Sequence, residues 1–571
     1  MIKQFTKTTK MTRVKKEPSL RFIALGGLEE IGRNMMLFEY RDEIIVVDMG
    51  LQFPEEETPG IDFIIPNTSY LEAKRQNIKA VLITHAHYDH IGAIPYLLGR
   101  LGNPPIYTTR LTKEIILKRQ EEFSKSIKPI IEPIEFNKVM PLSKYFGVEF
   151  FSVTHNIPDT VGLILHTPMG KIVHPGEFKL EHDKEGKPKN SELEKFAKIG
   201  NQNILLLMLD STNAEEPGYS LSERVVEGTL EEIFRKSPGR IIVGTFASLL
   251  DRIAEIIKIA QKLDRKVTIS GYSMRSNIQI ARRLGYIKIN PEDIIPLEEM
   301  SHYPDNKLLI LCTGAQGEPN ASLMRIINGE NRYLQIKQGD TVVFSSSIVP
   351  GNERAVQNLK DNLARQGAKI YHSKIVDIHS SGHAPQEELK LVLKLVKPKF
   401  FLPIHGYYFM RWRNAELGQE VGIPKENTVL TDNGQIIEIT KNTIRITKET
   451  VPAFYVMIDG LGVGDVGEVV LRDRKTLAQE GMVVIIATLK RESGKLLKNP
   501  DIISRGFIYL RENQELVEQI RNRVKGITLR IPKFQPIDAD YLKSLIRDQI
   551  GQFLYNKTKR RPMILPVVIE V

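Results

Sequence analysis

Short apolar runs alternate along most of the chain with stretches where apolar residues recur every three or four positions. Runs such as Arg21–Ala24, Glu43–Asp48 and Ala80–Ile83 read as strands, each closed by glycine, proline or a polar loop. The same pattern continues through Val148–Thr154, Gly170–His174, Ile204–Leu209, Ile241–Gly244, Val267–Ser270, Leu308–Cys312, Val342–Ser345 and Phe400–Ile404. Helical spacing lies between them, for example over Ile91–Leu98. Such alternation predicts an α/β architecture, with helices covering sheets. No fixed-period repeat is present, which argues against a solenoid or propeller. After about Lys448 the character changes. Strands near Val456–Asp459 and Val483–Leu489 lead to a long helix starting near Asp538 or Asp540, with Leu542, Leu545, Ile546, Ile550, Phe553 and Leu554 on one face. The polar run Asn556–Arg561 and a strand-like Met563–Val571 complete a small αβ C-terminal domain.

At 571 residues the chain has room for about three to five domains. No apolar run approaches the ~18 residues of a membrane span, which excludes an integral membrane protein. One cysteine, Cys312, excludes an intrachain disulfide and a thiolate zinc cluster, and fits a reducing, cytoplasmic setting. Charge adds direction: the net +11 favours polyanionic partners. Part of that surplus sits in residues 1–19, where Lys3, Lys7, Lys10, Arg13, Lys15 and Lys16 face only Glu17. This stretch lacks the apolar core of a secretory signal and is expected to be a solvated basic arm.

The densest chemistry is T-H-A-H-Y-D-H at Thr84–His90, directly after a strand. His85 and His87, two apart on an extended loop, can share one metal. Asp89 and His90, as the chain enters a helix, can face a second. Zinc takes imidazole and carboxylate ligands at about 2.0–2.2 Å, and a site with an open position is catalytic rather than structural. Further ligands follow other strands: His155 in T-H-N-I-P-D, Glu177 in H-P-G-E-F-K and His405 in L-P-I-H-G. Singly, each is more often a satisfied core or loop polar residue than a ligand. Their common position at strand ends, where α/β sheets collect function, lifts them. Asp48, ending its own strand, is either a turn residue or a partner of these histidines.

H-x-H-x-D-H after a strand, with later histidine and acidic positions, resembles the metallo-β-lactamase superfamily, and within it the β-CASP nuclease branch and the ribonuclease J family. The resemblance runs from about Leu20 nearly to the end. It rests on G-G-L-E-E-I-G-R-N-M at 26–35, D-S-T-N-A-E at 210–215, T-G-A-Q-G-E-P at 313–319, S-S-S-I-V-P-G-N-E at 345–353, H-S-S-G-H-A at 379–384 and R-R-P-M-I-L-P at 560–566. It implies an αββα metallo-β-lactamase sandwich interrupted by an inserted β-CASP α/β domain, plus a small αβ C-terminal domain. The divisions would be a basic tail (1–19), the first part of the catalytic domain (20–215), the β-CASP insertion (216–370), the second part (371–448), and a linker with the C-terminal domain (449–571).

The resemblance also implies two Zn2+ per chain, with Mn2+ or Mg2+ as alternative activators. His85, His87 and His155 would hold one ion, and Asp89, His90 and His405 the other. Glu177 would bridge, and Asp48 would anchor the histidines from behind. His383, oriented by Asp210, would protonate the leaving oxygen. His379, Ser380, Ser381, Gly382 and His383, with Ser346 and Ser347, would form a substrate-phosphate pocket. The implied activity is hydrolysis of single-stranded RNA, 5′-to-3′ from monophosphorylated ends and also endonucleolytic, in RNA maturation and decay. A dimer or tetramer through the C-terminal domain is the implied assembly. The chain departs from the family pattern at Glu177 (usually Asp), Ala86 and Glu29 (usually Gly), Leu249 and Asp251 (usually Asn and His), and Tyr407 (usually Glu). Two rival readings are a catalytically weak RNA-binding subunit and a small-molecule ester or lactone hydrolase. Within the nuclease class, DNA is a further substrate to test.

Overall fold

The computed structural model describes residues 18–54, 58–123, 127–183, 186–318, 320–349, 351–460, 462–491, 495–508, 512–530 and 538–571. The expected basic arm lies outside the described residues except for its last two positions. Two compact units are present: the chain up to Gln52 with Ile65–Tyr455, and Phe53–Ile64 with Val456–Val571.

In the first unit two sheets stack face to face. One has eight strands, in the order Ile444–Thr450, Gln435–Ile439, Leu20–Gly26, Met35–Tyr40, Glu43–Val47, Ile78–Leu82, Ile106–Thr108 and Ile131–Pro133. The other has six, in the order Phe400–Ile404, Ile204–Asp210, Gly170–His174, Val161–Thr167, Gly147–Ser152 and Val139–Pro141. Period-two alternation sends Phe22, Phe38, Ile45 and Leu82 of one sheet against Phe150, Leu163, Met208 and Leu402 of the other. Ile204–Asp210 is apolar up to its final residue because both its faces are buried. Its outer face packs on the helices Asn190–Gly200, Gln386–Val396 and Tyr408–Glu420, through Phe196, Leu389, Leu393 and Leu417. Short helices Tyr88–Ile91 and Ile94–Leu97 and the longer Arg110–Gln120 bury Ile91, Ile94, Leu97, Leu111 and Ile115 beside the eight-stranded sheet.

The helix expected over Ile91–Leu98 is therefore broken. The Asp89 and His90 carbonyls accept from the backbone N–H groups of Asn34 (2.9 Å) and Met49 (2.7 Å), and the Ala93 N–H turns to Met49 O (3.0 Å). Gly92 permits the close approach, since a Cβ there would lie 2.4 Å from the Leu51 side chain. Pro95, lacking an N–H, suits the opening turn of the second short helix.

Between Ile204–Asp210 and Phe400–Ile404 the chain leaves to build a five-stranded, all-parallel sheet. Its order is Lys266–Ser270, Leu308–Cys312, Ile241–Gly244, Thr341–Phe344, Lys369–His372. Apolar faces of the flanking helices, such as Val356, Leu359 and Leu363, cover it. On return, Phe400–Ile404 pairs in parallel with Ile204–Asp210, setting Asp210 opposite Ile404. Gln435–Ile439 then closes on Leu20–Gly26.

In the second unit, Met482–Leu489 lies between Asp501–Arg505 and Met563–Glu570. Val483, Ile485, Leu489 and Ile564 face the helices Gln514–Leu529 and Ala539–Thr558. Asp538 caps the second helix by accepting from the Asp540 and Tyr541 N–H groups, and Lys559 ends it in the left-handed conformation. From the sequence, residues 53–64 are expected within the catalytic domain. Here the strand Phe63–Ile65 instead joins Val456–Asp459, with the Asp62 N–H donating to Ile458 O (2.9 Å) and Ile61 and Ile64 packed on Leu471. No helix among the described residues is long and apolar enough to cross a membrane.

Candidate metal centre

Strand ends bring the expected ligands together. Asp48 follows Glu43–Val47, Thr84–His90 follows Ile78–Leu82, and His155 lies just beyond Gly147–Ser152. Glu177 follows Gly170–His174, Asp210 ends its strand, and His405 follows Phe400–Ile404. Asp48 (φ +61°) and His405 (φ +50°) adopt left-handed backbone conformations, at a cost of roughly 1–2 kcal/mol each.

Two groups of donor atoms result: His85, His87, His155 and Glu177 in one, Asp89, His90, Glu177 and His405 in the other, each within 4.8 Å. In the first, His85 Nε2 lies 3.0 Å from His87 Nδ1, and His87 Nδ1 3.3 Å from His155 Nε2. Glu177 Oε2 is 3.1 Å from His155 Nε2 and 3.5 Å from His85 Nε2. In the second, Glu177 Oε1 lies 2.7 Å from His90 Nε2 and 3.1 Å from His405 Nε2, and Asp89 Oδ2 is 3.4 Å from His90 Nε2. A tetrahedral ion with bonds of about 2.1 Å has ligand–ligand edges of about 3.4 Å. The observed separations run from 2.7 to 3.5 Å, at or somewhat below that size. The two oxygens of Glu177 divide between the groups, so the extra methylene still spans both.

Electrostatics agree with this fit. Burial, with His90 alongside, pushes the His85 imidazole down to about 3; burial and His85 hold His87 well below the usual histidine value. Neutral imidazoles keep a lone pair free to ligate a cation. Burial opposes the Glu177 charge, but the surrounding His405, His90, His155 and His85 outweigh it and hold the carboxyl well below the usual range.

Four of the five histidines are anchored through their other ring nitrogen, as metal-ligating imidazoles are. Asp48 Oδ2 holds His90 Nδ1 (2.7 Å), Thr84 Oγ1 holds His85 Nδ1 (3.0 Å), Gly382 O holds His155 Nδ1 (2.9 Å), and Asn34 Oδ1 holds His405 Nδ1 (2.9 Å). Asp48 also accepts from the Thr84 N–H (2.9 Å), which fixes the loop that begins the histidine motif. Asn34, Thr84 and His174, whose Nδ1 accepts from the Gly176 N–H (3.1 Å) just before Glu177, were not singled out in the sequence. Asn34 lies inside the quoted G-G-L-E-E-I-G-R-N-M run. In the same run Glu29 has φ +63°, a conformation glycine takes freely.

His383 reaches the centre from beyond the insertion. Its ring centroid lies 5.3 Å from that of His155 and 5.9 Å from that of His405. Its Nδ1 donates to Asp210 Oδ2 at 2.6 Å. Burial opposes its charge, but Asp210 outweighs burial and raises His383 to about 9. Asn213, another residue not singled out, donates to Ser381 Oγ (2.8 Å) and His383 O (2.9 Å). Gly382 sits so tightly that a Cβ would lie 2.5 Å from Asn156 and 2.6 Å from His155. Ser380 is buried, its hydroxyl donating to Leu221 O (2.6 Å) and accepting from Lys179 Nζ (2.8 Å). Burial pushes His379 down to about 3. Ser346 Oγ and Ser347 O accept from Gln316 Nε2, while Ser345 reaches the loop by donating to Ile378 O (2.8 Å).

A stacked pair of sheets with seven candidate ligands at strand ends, interrupted by a parallel α/β domain, is a metallo-β-lactamase-fold protein of the β-CASP type. Matching family models divide the chain accordingly. The Metallo-beta-lactamase superfamily matches residues 29–196, and the Ribonuclease J beta-CASP domain 238–363. The Zn-dependent metallo-hydrolase RNA specificity domain matches 367–425, and the Ribonuclease J C-terminal domain 469–571. The chain is 38% identical to Ribonuclease J2 of Bacillus subtilis over 98% of its own length and 100% of that protein. It is 40% identical to Ribonuclease J 1 of Streptococcus pyogenes over 98% and 99%. The chain belongs to the ribonuclease J family. A crystal structure of an Enterococcus faecalis protein of unknown function shares the fold, with a TM-score of 0.53 at 19% identity, covering 74% of this chain and 100% of that one.

Proposed function

We propose that this protein is a two-zinc ribonuclease that hydrolyses single-stranded RNA in the cytoplasm, 5′-to-3′ from monophosphorylated ends and also internally, in RNA maturation and decay. One observation carries the reading: two four-donor groups share the Glu177 carboxylate, with His383 beside them. His85, His87 and His155 would hold one ion, Asp89, His90 and His405 the other, and Glu177 offers one oxygen to each group. Divalent ions in such a pair supply a nucleophilic water at neutral pH and clamp a phosphodiester electrostatically.

The chain's own residues do the rest. His383, kept protonated at neutral pH by Asp210, holds a proton on Nε2 and delivers it to the leaving oxygen. Asp210 fixes the ring by accepting from Nδ1. The His379–His383 loop offers the Ser381 hydroxyl and backbone N–H groups to the 5′ phosphate, and Ser380 braces it from behind. The shared Glu177 contacts count against a catalytically weak paralogue. Assembly into a dimer or tetramer uses the C-terminal unit, where Ile503, Leu565, Val567 and Ile569 are 40–44% exposed on the sheet face opposite its helices.

The test uses end-labelled single-stranded RNA carrying a 5′ monophosphate, triphosphate or hydroxyl, with and without chelator. Metal-dependent release of mononucleotides from the monophosphorylated RNA is the expected result. Failure to cleave any of the three with zinc or manganese supplied would sink the reading.

A further inference from the structure

Away from the metal centre, a buried ion network joins three parts of the chain. Arg252, on the helix Leu250–Lys262 of the insertion, donates to Ser345 Oγ (3.1 Å) and to Ile378 O (3.0 Å). A second Arg252 nitrogen donates to Glu223, at the start of the helix Glu223–Lys236. Glu223 also accepts from Lys179 Nζ (2.6 Å), and the same ammonium donates to Ser380 Oγ (2.8 Å). Lys179 lies two residues beyond Glu177, and its backbone N–H donates to Thr154 O (2.8 Å), next to His155.

The Arg252 and Lys179 side chains are 5% and 3% exposed. Replacing buried ion pairs by apolar residues often costs nothing in stability, so stability alone does not account for two buried cations meeting at Glu223. Position does. The His379–His383 loop is held at its leading edge by Arg252 on Ile378 O, in its middle by Lys179 on Ser380, and at its end by Asn213 on Ser381 and His383. Two of these three holds run through Glu223. Arg252 Nε also pairs with Glu255 Oε2 (3.4 Å) on its own helix.

We propose that Arg252, Glu223 and Lys179 are positioning residues that set the shape of the His379–His383 loop, and through it the enzyme's affinity for 5′-monophosphorylated RNA. The inference rests on the ribonuclease reading above and deepens it. These three residues touch no reacting atom. Loosening them therefore weakens recognition of the RNA end more than it slows the chemical step.

The experiment compares full-length wild type with Arg252→Met, Arg252→Lys, Glu223→Gln and Lys179→Met, measuring KM and kcat on 5′-monophosphorylated and 5′-hydroxyl RNA and counting bound metal. Arg252→Met and Glu223→Gln are expected to raise KM for the monophosphorylated RNA about tenfold and to shrink the preference between ends. Metal content stays unchanged, kcat changes by less than about threefold, and Arg252→Lys recovers part of the loss. Should Arg252→Met fail to fold, the isosteric Glu223→Gln and the uncharged Ser345→Ala carry the same comparison. Unchanged KM and end preference in variants of a discriminating wild type would overturn the inference alone. So would a fall in kcat with KM untouched and no rescue by lysine. A wild type that cleaves no RNA, or ignores the 5′ end, overturns the underlying reading and the inference with it.

Discussion

Replacing Asp48 by asparagine tests how the centre is held without removing a ligand. In the structure the carboxylate accepts from the Thr84 N–H (2.9 Å), Thr84 Oγ1 (3.0 Å) and His90 Nδ1 (2.7 Å). An asparagine of the same shape keeps one acceptor oxygen and turns the other into an NH2 donor. If the oxygen stays on Thr84, the NH2 meets the His90 Nδ1–H, donor against donor. His90 then relieves the conflict by moving its proton to Nε2, the atom that faces Glu177 Oε1 at 2.7 Å. A protonated Nε2 cannot ligate. If the amide flips instead, the clash passes to the Thr84 N–H and disturbs the loop carrying His85 and His87. Partners behind metal-binding histidines are worth about 10–100-fold in affinity, or about 1.4–2.7 kcal/mol at 25 °C. Competitive chelator titration with metal analysis should show the Asp89–His90–His405 ion lost at lower chelator concentration, with RNA turnover falling alongside. An Asp48→Asn protein that keeps both ions at wild-type affinity and full turnover would refute the argument.

Asp210→Asn should lower turnover by about 10²–10⁴-fold, the range for general acid catalysis. It should also move the alkaline limb of the pH–rate profile from near the His383 value of about 9 toward 6.5. The raised value means that the pair's contribution to stability is fully present below about 6.5 and is lost as pH rises through about 9. Melting curves of wild type and Asp210→Asn should therefore converge at high pH, and parallel curves would contradict the pairing. Gly382→Ala puts a methyl 2.6 Å from His155. It should cost about 1–3 kcal/mol by overpacking and weaken the His155-side ion, as read by thermal shift and metal analysis. Val567→Lys, in the exposed apolar row of the C-terminal sheet, should lower the mass found by sedimentation equilibrium, and an unchanged mass would remove that face as the contact.

The candidate centre was legible in the sequence because its potential ligands are short-range signals: His85, His87, Asp89 and His90 stand within six residues, and the others each follow a buried strand. Their meeting was not a local signal. His405 joins Glu177 only because Phe400–Ile404 returns beside Ile204–Asp210 after the whole insertion, a pairing that no single-segment pattern encodes. Asn34, Thr84 and Asn213 act through side-chain hydrogen bonds from loops, and side chains of that kind recur throughout any sequence without periodicity. The helix over Ile91–Leu98 breaks because tertiary N–H groups from Asn34 and Met49 capture the Asp89 and His90 carbonyls just before it, and the Ala93 N–H turns to Met49. Residues 53–64 join the C-terminal unit by a pairing across some four hundred positions. Arg252, Glu223 and Lys179 are ordinary charges in the text, and only the burial of the two cations around a shared, half-buried Glu223 marks them.

The account stands most directly on metal count and RNA turnover measured in the same sample. Wild type should carry about two ions per chain, with turnover that chelator abolishes and zinc or manganese restores. His87→Ala and Glu177→Ala should lose ions and turnover together. RNA cleaved at an undiminished rate after the metal is stripped, or a well-folded wild type that binds no stoichiometric metal under any condition, would contradict the account at its centre.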